Sequence, residues 1–140
     1  MRRTITILLT VLVLSLPIAE ATAAVETTKK KVIVVTKRFT GSAFEAGRWG
    51  TLQVTITVRK TTTITGTKRK VTRKLTAVSV PTYPDHTDRS VYINSQALPI
   101  LKSEALRAQS ASIDMVSGAT DSSEAFAESL QSAILKAKKA

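Results

Sequence analysis

No cysteine occurs in the 140 residues. That absence excludes disulfide staples, thiolate metal sites, iron–sulfur clusters and a thiol nucleophile, and with them the lipobox thiol that would tether a chain to lipid. Histidine is almost as scarce. His86 stands alone in a polar stretch beside Asp85 and Asp88, so neither a His-rich metal site nor a Ser–His–Asp hydrolase has a basis. Any redox chemistry must come from a bound organic cofactor.

Long apolar runs are missing as well. Ile5–Ile18 is nearly unbroken but shorter than the roughly 20 residues needed to cross the hydrocarbon core. Arg2 and Arg3 precede it, and Ala19, Ala21 and Ala23 follow. This order reads as a secretory signal peptide over residues 1–23, with A-x-A cleavage after Ala21 or Ala23. An uncleaved anchor is the alternative, and the short run with its A-x-A ending favours cleavage. The chain is expected to be exported, to the extracellular side or the outer face of the cytoplasmic membrane. About 117–119 residues would remain, enough for one domain. Residues 24–31 read as a polar lead-in and residues 32–140 as the domain.

Acidic residues are few, 10 against 21 Lys and Arg. The formal net charge of +11 falls by only one when Arg2, Arg3 and Glu20 are set aside. Such a balance favours anionic partners. From Arg59 to Lys74 the basic residues Arg59, Lys60, Lys68, Arg69, Lys70, Arg73 and Lys74 occur with no acidic residue and no aromatic ring between them. A nucleic-acid surface would supply stacking rings, so no nucleic-acid partner is expected. An exposed soluble hairpin is the first reading, and adhesion to anionic envelope polymers the second.

What the sequence does contain is two kinds of periodicity. Val32–Phe39 is β-branched and reads as a first strand, with Gly41 opening the exit turn and Ser42–Gly50 a loop. Leu52, Val54, Ile56 and Val58 alternate with polar residues, the signature of a half-buried strand. Thr61–Thr65 and Val71–Val80 flank a turn at Gly66-Thr67-Lys68, and Pro81 and Pro84 should end the meander. The second half is helical. Asn94 or Ser95 could cap a helix to about Gln109, with Pro99 in its first turn and Leu98, Leu101, Ala105 and Leu106 on its buried side. A second helix from about Ser122 to Lys138 aligns Phe126, Leu130, Ile134 and Ala137. Strands first and helices afterwards imply an α+β domain, an antiparallel meander with two helices packed on one face.

Between the helices lies Ile113–Phe126, IDMVSGATDSSEAF. Read for structure alone, Asp121 and Glu124 form a capping box and Gly118 is a turn glycine. Read for chemistry, a helix start offers unpaired backbone N–H groups and partial positive charge to a phosphate. Gly118 and Ala119 would let the backbone approach, and Ser117, Thr120 and Ser122 or Ser123 would add hydroxyls.

Asp114-x-x-Ser117-Gly118-Ala119-Thr120, followed by Ser123, resembles the D-x-x-S/T-G-A-T-x-T-S signature of the FMN-binding domain family, which includes flavinylated components of the sodium-translocating NADH:quinone reductase and of the related Rnf complex. Phe39-Thr40-Gly41, Trp49-Gly50, Ser90…Ile93-Asn94-Ser95-x-Ala97-x-Pro99-x-Leu101 and Gln109-Ser110-Ala111-x-Ile113-Asp114 fall in the expected order. The resemblance spans about Val32 to Ala137 and implies FMN as cofactor. It implies Thr120 as the site where a flavin transferase esterifies the FMN phosphate, and Asp114 as a residue that the transferase recognises. Ser117, Gly118 and Ala119 would form the turn, and Ser122-Ser123, where the family has T-S, would keep the hydroxyl and cap functions. Trp49 and Tyr83 are candidates for the isoalloxazine ring. Such a domain is expected to carry electrons rather than to be an enzyme alone, with a membrane reductase or other redox partner. The Arg59–Lys74 hairpin is longer than the resemblance leads one to expect, which points to partners rather than to the flavin.

Overall fold

The period of two at Leu52–Val58 extends well past the residues that announce it. In the computed structural model, which describes residues 27–140, a single strand β3 covers Thr51–Thr65. Its even-numbered side chains face the core, with Leu52, Val54 and Ile56 fully buried. Strand β1 (Lys30–Thr40) pairs antiparallel with β3 from Lys30↔Thr65 to Thr40↔Thr55. Strand β4 (Lys68–Thr82) pairs along the other side of β3. The two-residue β2 (Phe44–Glu45) pairs with Thr51 and Leu52. Helix α1 (Asp88–Ala108) packs on β4 and helix α2 (Thr120–Lys139) on β3 and β1. Both lie on the face lined by the even-numbered residues of β3, so the fold is the expected α+β sheet with helices on one side. The signal-peptide reading of residues 1–23 lies outside the described residues.

Several boundaries differ from the sequence reading. Lys30 and Lys31 belong to β1 rather than to a polar lead-in, because their backbone pairs with Thr65 and Ile64. Thr61–Thr65 is no separate strand but the outer half of β3. Within Ser42–Gly50 the chain forms β2 and a 3-10 turn, Gly47–Trp49. The meander ends within Pro81–Asp85 as expected, at Thr82; Pro81 itself still lies inside β4, which among the described residues pairs only with β3 and so has an edge that needs no N–H from proline.

The larger correction concerns α1. It begins at Asp88, capped by Thr87, whose Oγ1 accepts from Ser90 N at 3.1 Å. Neither Asn94 nor Ser95 caps it, and Pro99 falls mid-helix on the exposed side, where the carbonyl left without a donor can bond to water. Leu98, Leu101 and Ala105 are buried as expected, but the stripe continues back through Asn94 and Ser90.

The sheet and α2 are joined by more than apolar contact. Ser129 on α2 is fully buried; its Oγ accepts from Val54 N at 2.8 Å and donates to Ser42 O at 2.7 Å. We expect Ser129→Ala to lose about 1–3 kcal/mol, since the buried Val54 N–H then has no acceptor. Urea unfolding should show a lower midpoint at unchanged slope.

Candidate cofactor-binding site

The segment before α2 is held rigid by its own helix. Ser123 Oγ accepts from Val116 N at 3.0 Å and donates to Ala119 O at 2.7 Å, while Ala119 N donates to Val116 O at 3.0 Å. Gly118 sits at φ 80° with open space around its missing side chain, so the left-handed conformation, not crowding, demands glycine there. Ala119 is the N-cap and no side chain caps the helix. The expected Asp121–Glu124 capping box is therefore absent, because the cap falls two residues before Asp121. The first backbone N–H groups of α2 are thus free of side-chain acceptors, and a helix start in that state suits an anion. Thr120, the first helical residue, is exposed.

These residues form one wall of a cleft of about 270 Å³. The N-terminal half of α1 forms the second, through Arg89, Ser90, Ile93 and Asn94, and Trp49 with Pro84 forms the third. The 3-10 turn that carries Trp49 lies tight against α2: a Cβ on Gly47 would stand 2.7 Å from Asp121 Oδ2. The Arg48 guanidinium lies over the Trp49 ring at 4.7 Å from its centroid, which helps to hold that indole in place. Among the described residues, Arg89 is the one cation and Asp121 the one anion in the lining.

Asn94 is the most informative lining residue. It is 1% exposed, and its Nδ2 donates to Pro84 O at 2.9 Å. Its Oδ1 is buried and has no partner among the described residues. A buried acceptor left unpaired costs about 1–3 kcal/mol, so the cleft floor offers a place for a ligand donor.

The structure brings together Trp49, Gly118, Ala119, Thr120 and Ser122 from the sequence expectation. Ser117 and Ser123 do not line the cleft, and both hydrogen bonds of the Ser123 hydroxyl stay within the segment that it braces. Tyr83 and His86 lie outside the lining. Asp114 is exposed, away from the cleft. It neighbours Arg107, whose guanidinium is held above its ordinary value first by the hydrogen bond and charge of Glu104 and to a smaller degree by Asp114. Arg89 was not named by the sequence reading, and Pro84, Ser90, Ile93 and Asn94 were named there for the course of the chain or the family resemblance, not as site residues. Thr87-Asp88, a cap followed by an acid in the first turn, was the signal that could have placed α1 early enough to bring them to the site.

The model of the FMN-binding domain family matches residues 47–135, from the Trp49 turn through most of α2. No curated protein matches the chain.

Proposed function

The chain belongs to the FMN-binding domain family and its cofactor is FMN, and from that premise we propose that it is an exported electron carrier with the FMN phosphate esterified to Thr120. The observation that carries this reading is the placement of Thr120: an exposed hydroxyl on the first residue of an uncapped helix, at the mouth of the cleft.

The residues fit the group. The α2 start offers backbone N–H donors to a phosphate, Arg89 adds a cation that offsets Asp121, Trp49 and Ile93 supply apolar surface for a ring system, and Asn94 Oδ1 waits for a donor. FMN supplies one- and two-electron redox chemistry, whereas the chain's part is to bind, orient and exclude water. In the esterification a flavin transferase uses FAD. A bond forms between Thr120 Oγ1 and the FMN phosphorus, the pyrophosphate bond breaks, AMP leaves, and the hydroxyl proton is lost. A covalent tether suits an exported protein, because a dissociable cofactor is lost by mass action in dilute surroundings. Asp114 is the residue for the transferase to recognise, and a membrane reductase is the electron donor in this reading.

The test is co-expression of the full chain with a flavin transferase. After acid precipitation the pellet should stay yellow and the intact mass should rise by one FMN adduct. Flavin released to the supernatant would leave the FMN site and remove the covalent bond. A colourless protein that takes up no added FMN would overturn the proposal.

Asn94 provides a further check. In Asn94→Leu the stabilisation that FMN confers should shrink by about 1–3 kcal/mol. The difference in melting temperature between loaded and unloaded protein reads it directly; an unchanged difference would remove Asn94 from the site.

A further inference from the structure

The helix-bearing face of the sheet continues beyond the end of α2. There Ile33 and Val35 of β1 and Thr62 and Ile64 of β3 floor a groove of about 300 Å³, closed at one end by Ala137 and Ala140. Lys37, Lys60, Arg69 and Arg73 line the same groove, and Lys60 Nζ donates to Ala140 O at 3.1 Å. Ile33 and Val35 are 39% and 40% exposed, and Val71 beside them 37%. The three long strands carry four basic residues in β1, two in β3 and five in β4, and no acidic one.

We propose that this groove docks on an anionic phospholipid surface. Cations grouped around aliphatic side chains match such a surface, which offers phosphates and, just beneath, apolar glycerol ester and upper methylene groups. A soluble polyanion would engage only the charges and leave the exposed Ile33, Val35 and Val71 unused. A redox partner fits poorly here, because the groove lies at the C-terminal end of α2 and the Thr120 cleft at its N-terminal end, about 30 Å away along a 20-residue helix. Docked by the groove, the domain turns its cleft away from the lipid and leaves it open to partners. This inference does not depend on FMN being bound.

The experiment is flotation of the full chain with vesicles of phosphatidylglycerol and phosphatidylcholine in equal parts, against phosphatidylcholine alone. The quadruple variant K37Q/K60Q/R69Q/R73Q should lose at least about tenfold in affinity for the anionic vesicles. The variant K30Q/R59Q/K70Q/K74Q, which removes as many charges from the opposite face, should lose clearly less. Equal losses in both variants would reduce the effect to net charge and overturn the groove, as would wild-type protein without preference for the anionic vesicles. I33S/V35S, with every charge intact at exposed positions, should weaken vesicle binding and leave binding to soluble poly(glycerol phosphate) unchanged. If vesicle binding is unaffected in I33S/V35S, the surface is a polyanion site and the lipid proposal falls; this pair also decides the matter should the quadruple variants fail to fold.

Discussion

Thr120→Ala, co-expressed with a flavin transferase, is expected to carry no covalent flavin at all. The effect is all or none because no other hydroxyl in the segment is equivalent. Ser122 lines the cleft but is buried, Ser123 has both hydrogen bonds committed to Val116 and Ala119, and Ser117 lies off the cleft. Among the described hydroxyl residues, only Thr120 is both in the lining and exposed to a modifying enzyme. The substitution should barely alter the fold: an exposed residue at a helix start, outside the apolar core, belongs to the class of changes within about 0.5 kcal/mol. Loss of the adduct would therefore report the missing bond and not unfolding. Intact mass and the colour of the acid pellet measure it, with Thr120→Ser as the companion variant that keeps a hydroxyl and should keep some adduct. An adduct that persisted in Thr120→Ala would move the attachment site elsewhere.

Gly41→Ala should produce the largest loss of stability. Its backbone is not strained; the difficulty is space. A Cβ there would stand 2.0 Å from Ser129 O and 2.9 Å from Ser129 C, both backbone atoms of α2. Neither can rotate away, so helix and sheet must separate. Overpacking costs about 1–3 kcal/mol and sometimes more. Separation would also strain the bonds that gather there, Gly41 N to Val54 O at 2.8 Å, Gln53 Nε2 to Gly41 O at 2.9 Å and Val54 N to Ser129 Oγ at 2.8 Å, and each buried group left unpaired adds about 1–3 kcal/mol. A total near 4 kcal/mol is a large part of the 5–15 kcal/mol typical of a domain. The melting temperature should fall by about 15–30 °C. Ser129→Gly should not rescue it, because the closest clash is with the backbone oxygen. A melt within a few degrees of wild type would contradict the close approach of α2 to the sheet.

Much of this architecture was legible in one dimension. The alternation Leu52–Val58 is a local property of a pleated strand, and the spacing of Phe126, Leu130 and Ala137 a local property of a helix; both are buried as that periodicity requires. Ile134, on the same reading, is only partly buried. The start of α1 was harder to see, because Pro99 resembles a first-turn proline when the tolerance of an exposed mid-helix position is unknown. Val32–Phe39 reads as a strand and is one, but the pattern does not say what covers it: Val32 and Val34 lie on the face without helices, α2 ends before it covers Ile33 and Val35, and all four stay exposed.

The sequence by itself determined the α+β order, the glycine at the turn before α2 and the contiguous run Asp114–Ser123 with Thr120 in it. Each of these depends on residues a few positions apart, and backbone preferences act at that range. The tertiary structure alone decided that Asn94, Arg89 and Ile93 face Thr120 across a cleft, that the Ser123 hydroxyl braces the segment, and that Gly41 is required by a helix carbonyl from the far end of the chain. Those pairings come from the docking of α1 and α2 on one sheet face, where burial of apolar area sets the approach and side chains distant in sequence meet as its consequence.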